Sequence, residues 1–360
     1  MRRWLAAALI LVLLAAPAMA SWYDVADYLA AEQTTGGSTP PAGSWPGEDF
    51  ATGAIVAGMV RAYEVTGTPA YKASAEAGGN WVHTVAYNSG TGHYSYFGDE
   101  AYALTRLSDI SDSQDWLGYV ADFYQDKRDN TAGGTQGYID MLEGWIGEPS
   151  QTSLYIAHHA VAADRVDAVD ADIWRDSVIG LLGDVTDSAA VWPVMALGAS
   201  VWALALTGGE GYDMEADTTE IQPGVMSGTW YNSGEGRPVQ VGDLPSILQS
   251  HQHPSGGFYW RFDHAPPPGD NPAYGYTEDT VFGTLGLQAA NEVTATDYSQ
   301  DVYAGFVWTS TCMDTPGPVL EHPIDGTVER YYFGGEALRL MVPEPATVGL
   351  LALGCVGLWQ

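Results

Sequence analysis

An all-α domain built from helical hairpins is the fold class that this sequence predicts, and two observations carry it. Apolar residues recur at spacings of three and four from Phe50 to about Gly208 and again beyond Gly242, with no alternating run long enough for a large sheet. Gly, Pro, Asp and Ser turns then cut this pattern into helices of ordinary length. A content of 46% hydrophobic residues, with 13 Trp and 21 Tyr, supplies a substantial core and excludes a disordered chain.

The elements follow in order. Ile55, Met59 and Tyr63 mark one helix face, Tyr71, Ala75, Gly78 and Val82 mark the next, and Gly67-Thr68-Pro69 between them makes a hairpin. Further helices are predicted at about 98–110, 113–128, 136–146, 151–168, 171–183 and 192–207. From Gly208 to about Gly242 the texture is a Gly-, Pro- and acid-rich loop. Helical periodicity returns at 243–252, 277–292, 297–310 and 334–341, which makes about twelve helices.

Some helix starts repeat. Tyr96-Phe97-Gly98-Asp99-Glu100-Ala101 is echoed by Tyr332-Phe333-Gly334-Gly335-Glu336-Ala337, and Tyr276-Thr277-Glu278-Asp279 and Trp192-Pro193 are looser versions. Such a unit cannot bury its apolar face alone, whereas several hairpins stacked in a ring can. With these repeats the chain resembles the α/α toroids, rings of about six helical hairpins found in terpenoid cyclases, protein prenyltransferases, six-hairpin glycosidases and some polysaccharide lyases. The stretch Ala57 to Gly67, with Tyr71 and Ala75, is similar to a hairpin of the sugar-active members. Leu248-Gln249 through Gly256-Gly257-Phe258 is similar to the Gln and Gly-Gly-aromatic repeat of the cyclases and prenyltransferases. The Asp-rich acid motif of squalene-type cyclases and the zinc set of the prenyltransferases are absent, so the resemblance implies the scaffold and neither of those activities.

The two ends read as address labels, which leaves 21–341 as the toroid domain. Arg2 and Arg3 precede the apolar segment Trp4 to Ala16, and Ala18-Met19-Ala20 offers small residues to a signal peptidase, so 1–20 reads as a signal peptide cut before Ser21. At the other end, Val342-Pro343-Glu344-Pro345 is followed by an apolar run from Ala346 to Trp359, shorter than the roughly 20 residues of a spanning helix. Residues 342–360 resemble the PEP-CTERM sorting signal of bacterial surface proteins, although the chain stops at Gln360 without the family's terminal basic cluster. The resemblance implies an exosortase-type protease as a partner, transient membrane contact through the tail, and a destination at the cell surface or in the extracellular matrix. Cys312 is the only thiol outside that tail, so the domain has no internal disulfide.

The formal charge of −32 arises from 45 acidic against 13 basic residues spread along the chain. A surface of that sign repels nucleic acid and anionic membranes.

Chemistry is sought first in the acidic pairs at helix starts: Asp99 with Glu100, Glu278 with Asp279, and Glu336 in the equivalent place. In a ring of hairpins, carboxylates from different helix starts could face each other across a bound sugar as general acid and base or nucleophile. The competing reading is structural, because a carboxylate in a first helical turn also caps free N–H groups. The second candidate is the segment from Gly256 to His264. Tyr259 and Trp260 could stack on a sugar, and Arg261, Asp263 and His264 could supply charge or proton transfer; alternatively the aromatics pack the loop and Arg261 pairs with Asp263. His158 and His159 are adjacent on a helix and point about 100° apart, so the two do not share a metal, although His158 could line the cavity as a base.

These features point to a protein that binds or cleaves an extracellular polysaccharide. The acidic surface narrows the chemistry to a glycosidase acting on a neutral glycan or to a lyase assisted by Ca²⁺. The rival is a non-catalytic matrix or surface protein in which the toroid is only a stable body.

Overall fold

The computed structural model describes residues 22–35, 42–48, 51–88, 92–263, 275–313, 317, 319–321 and 330–341, so both terminal address segments lie outside the described residues. Helix α1 covers 22–32, followed by α2 (Thr52–Thr66) and α3 (Pro69–Val85). Next come a small hairpin of β1 (Tyr87–Asn88) and β2 (His93–Tyr94), then α4 (Gly98–Leu107), α5 (Trp116–Asn130) and α6 (Gly134–Ile146). After α7 (Pro149–Arg165), α8 (Ala171–Leu182) and α9 (Pro193–Leu206), a second small hairpin pairs β3 (Tyr231–Asn232) with β4 (Arg237–Pro238). The chain closes with α10 (Leu244–Ser250), α11 (Thr277–Val293), α12 (Ser299–Thr311) and α13 (Tyr331–Leu338).

Local chemistry explains these boundaries. Gly67 ends α2 in the left-handed conformation, at φ 66°, and its N–H reaches back to the Tyr63 carbonyl, while Pro69 opens α3 with its ring already set for the first helical turn. Pro149 and Pro193 open α7 and α9 in the same way.

Packing sorts the helices into two layers. The helices α2, α4, α7, α9, α11 and α13 each touch the next, and α13 returns to α2, so the six close into an inner ring. Outside them, α3, the α5–α6 pair, α8, α10 and α12 each pack on the inner helices beside them. The sixth outer position belongs to α1, whose Val25 and Leu29 lie against Gly334 of α13 and whose Trp22 stacks on Phe306 of α12 at 4.8 Å. Tyr71 of α3 also donates to Asp27 of α1, at 2.7 Å. The inner helices read as small and aliphatic residues because they are covered on all sides; α9 is buried from Pro193 through Ala205. Gly58 of α2 faces the carbonyl of Gly335 on α13 so closely that a Cβ would collide with it.

One expectation needs correcting and one element is added. The last helix runs from Tyr331 to Leu338 rather than over 334–341, because Arg330 and the aromatic pair Tyr331-Tyr332 start it before the two glycines. Helix α1 is an addition to the expected set: the segment falls inside the predicted domain of 21–341, but the helical periodicity is legible only from Phe50 onward. Cys312 is fully buried and unpaired, and burial pushes its thiol up to about 12. It packs as a small apolar residue.

Candidate active site

At one end of the ring the starts of the inner helices surround a cavity of about 290 Å³ on the ring axis. Asp99 reaches it from α4, Tyr155 and His158 from α7, Glu278 from α11, and Glu336 and Arg339 from α13 and its C-terminal cap. Trp192, Tyr332 and Glu48 complete the parts of the wall that matter for its chemistry.

Its acids differ from one another. Glu278, the second residue of α11, makes no side-chain hydrogen bond among the described residues; burial, and then the nearby Glu321, push its carboxyl up to about 8. The Asp99 carboxylate accepts from the Ala54 N–H of α2 at 3.2 Å through Oδ2, and its Oδ1 is buried without a partner. Burial raises Asp99 to about 6, against the pull of backbone N–H groups and Arg339. Glu336 lies in the second turn of α13, where it caps nothing, and its Oε2 is buried and unpartnered. Burial and then the Glu278 charge hold it well above the ordinary carboxylate range, with Arg339 opposing.

Glu100 and Asp279 are tied to backbone instead of lining the cavity. The Glu100 Oε2 accepts from the Phe97 N–H at 2.9 Å at the start of α4. The Asp279 Oδ1 accepts from Met195 N–H at 2.9 Å, so a carboxylate of α11 satisfies a first-turn donor of α9.

Arg339 forms the floor. Its guanidinium lies 5.0 Å from the Tyr102 ring, 4.9 Å from Trp202 and 5.3 Å from Phe282, a cage that holds a cation on the axis. One of its amino groups, Nη1, lies 2.9 Å from His158 Nε2. Because His158 Nδ1 lies 2.9 Å from the Leu154 carbonyl, which can only accept, Nδ1 carries the proton and Nε2 takes the hydrogen bond from Arg339. Burial and then Arg339 push His158 well below the usual histidine range. In this arrangement His158 positions Arg339, and its basic nitrogen is occupied. His159 points away, toward the Tyr124 hydroxyl at 3.1 Å and the Trp174 ring, and burial lowers it to about 3.

The second sequence candidate lies beside this site. Tyr259 is buried, Trp260 is half-exposed, and the Trp260 carbonyl accepts from Val194 N–H at the start of α9. Arg261 pairs with Asp263 at 3.0 Å and covers the Trp260 ring at 5.2 Å, while the Phe262 and Asp263 N–H groups donate to Asp187. The segment is therefore closed upon itself, and His264 lies outside the described residues. Among the described residues no group of three or more His, Cys, Asp or Glu side chains is arranged to hold a metal ion.

Glu336 reaches the cavity as the sequence suggests, whereas Arg339, Trp192, Tyr332 and Glu48 are lining residues that the sequence did not mark for chemistry. A usable signal existed for one of them, since Arg339 is a charge inside the otherwise apolar string Ala337-Leu338-Arg339-Leu340.

No protein-family profile and no curated protein matches the chain. Among solved structures it is similar to a polysaccharide lyase, with a TM-score of 0.51 and 15% identity over 84% of this chain and 91% of that one. It is also similar to cellobiose 2-epimerase from Bacillus thermoamylovorans, with a TM-score of 0.49 and 13% identity over 81% of this chain and 86% of the other. The fold is an α/α toroid. At these identities the likeness concerns architecture, and the chemistry has to be argued from the cavity.

Proposed function

We propose that the protein is an exported glycoside hydrolase that takes the end of a neutral polysaccharide or oligosaccharide into the axial cavity. The observation that carries this reading is the convergence of Asp99, Glu278 and Glu336 from three inner helices on one small cavity whose wall also holds Trp192, Tyr155 and Tyr332. Carboxyl groups grip and protonate sugar oxygens, and aromatic faces suit the C–H faces of a pyranose. A volume near the lower end of ligand pockets fits a chain end better than the middle of a long polymer.

Two carboxyl groups with separated proton affinities are what acid–base chemistry at a glycosidic bond requires. Glu278, at about 8, is protonated at neutral pH and gives its proton to the leaving glycosidic oxygen as the C–O bond breaks. Asp99, at about 6, is ionised there and takes a proton from the water whose oxygen bonds to the anomeric carbon. Glu336 and Arg339 complete the polar floor. The similar structure named a polysaccharide lyase supports a carbohydrate polymer as the class of ligand. Elimination from a uronate is disfavoured here because, among the described residues that line the cavity, Arg339 is the one Arg or Lys that could pair with a uronate carboxylate, and the ionised Asp99 opposes that carboxylate. Arg2, Arg3 and the Ala18-Met19-Ala20 site support export, and the tail from Val342 supports delivery to the cell surface through an exosortase-type protease.

The test is a panel of neutral and uronate-containing glycans incubated with the purified domain, with and without a chelator. New reducing ends from neutral members, reduced roughly 10²- to 10⁴-fold in Glu278→Gln and in Asp99→Asn, are the expected result. Chelator-sensitive release of unsaturated uronide products would replace hydrolysis with the lyase reading. Binding without turnover in the wild-type protein would leave a non-catalytic glycan-binding surface protein.

A further inference from the structure

The described tryptophans divide sharply by burial. Trp22, Trp45, Trp81, Trp116, Trp174, Trp202, Trp230 and Trp308 are all buried in the core. The three that reach solvent are Trp145, Trp192 and Trp260, and all are connected to the cavity end of the ring. Trp192 lines the cavity, and Trp260 accepts a backbone hydrogen bond at the start of α9. Trp145 is the most open, at 63% exposure on the last turn of α6.

Trp145 is also held in place. Its ring stacks on Phe97 with centroids 5.4 Å apart and planes 25° from parallel, and Phe97 in turn meets Tyr155 at 5.4 Å. Tyr155 is part of the cavity wall, and Phe97 is the residue before Gly98-Asp99 at the start of α4. Two ring contacts thus lead from the cavity to an indole that is backed by Phe97 and is 63% exposed. A core role does not account for that exposure. An apolar ring kept rigid at the surface beside a polar cavity is the arrangement that stacks a sugar with little loss of side-chain freedom.

We propose that Trp145 is an outer sugar-binding platform, so that the ligand is an oligosaccharide of several rings that leaves the axial cavity across Phe97 and lies on the exposed indole. This rests on the glycan reading above. It adds that recognition extends beyond the cleaved bond and that affinity depends on chain length.

The experiment is calorimetric titration of the full chain carrying Glu278→Gln, which prevents turnover, with neutral gluco-, xylo- and manno-oligosaccharides of increasing ring number. Affinity is expected to rise by about tenfold at the ring that first reaches Trp145, the scale of one aromatic stacking contact with its buried area. In Trp145→Ala that step should vanish, while Trp145→Phe should retain part of it. Met141→Ala, an exposed change on the same helix, should retain all of it. Matching thermal melts of the Ala, Phe and Met141 variants establish that the fold is intact. A step of the same size in Trp145→Ala, or affinity that stops rising once the cavity is filled, would overturn the Trp145 assignment while leaving the cavity reading in place. Failure of every saccharide to bind at any length would overturn the glycan reading itself.

Discussion

Replacing Glu278 by Gln should stabilise the protein, and by an amount that grows with pH. In the folded chain this carboxyl titrates at about 8 instead of its ordinary 4.5, because burial and then Glu321 disfavour its charge. Below pH 4.5 it is protonated both folded and unfolded, so the wild-type protein and the variant should melt alike. Between 4.5 and 8 the unfolded chain releases this proton while the folded chain keeps it, and the wild type progressively loses stability relative to Gln. Above 8 both states are ionised and the difference stays constant. The full shift corresponds to about 5 kcal/mol, since each pH unit between the two values contributes about 1.4 kcal/mol. Glu278 is half-buried at the mouth of the cavity, and screening by water there reduces the expected effect to about 2 kcal/mol. For a domain of this length that is a difference of about 3 °C in Tm. Paired calorimetric melts of wild type and Glu278→Gln at pH 4, 6, 8 and 9 test this. A gap that is constant with pH, or a wild type that gains on the variant as pH rises, would refute the argument and mean that Glu278 is ionised in the folded protein at neutral pH.

Two further outcomes follow from the packing and from the proposed leader. Gly58→Ala should lower stability by roughly 1–3 kcal/mol, because its Cβ meets the Gly335 backbone across the α2–α13 contact. Gly144→Ala, on an open face of α6, should raise it by about 0.4–1 kcal/mol, and equal melting temperatures for the two variants would contradict the close approach. Sequencing the N-terminus of protein recovered outside the producing cell should begin at or near Ser21, and intact Met1 on protein retained in the cytoplasm would contradict export.

Periodicity located nearly every helix of the ring because the inner helices alternate with turn residues that only a few conformations allow, as at Gly67 and Pro69. Side-chain roles were less accessible. Glu100 and Glu336 occupy the same place in the repeated string, yet α4 begins two residues before Glu100 and α13 begins five residues before Glu336. One carboxylate therefore folds back on its own helix start, and the other enters the cavity. The Asp99 and Glu278 positions were legible because acids at helix starts are conspicuous, but what separates Glu278 from Asp279 is whether the Met195 N–H of another helix lies within reach. The Arg339–His158 contact joins residues 181 positions apart, and local spacing carries no trace of such a pair. Trp145 is not marked by the sequence, since the helix pattern around it does not show how much of its ring stays exposed.

The seam between α1 and α13 gives the ring a direction in time. Trp22 meets Phe306 of α12, Val25 and Leu29 meet Gly334 of α13, and α13 meets α2 only after nearly the whole chain is available, so the contacts that complete the circle span most of the described sequence. Closing such a span costs more chain entropy than any of the local hairpins, and the seam forms late. Glu336 and Arg339 ride on the element that arrives there. A partly made chain can build most of its hairpins and still possess neither the floor of the cavity nor the partner that fixes His158. The cavity is thereby incomplete until the last helix has met the first two.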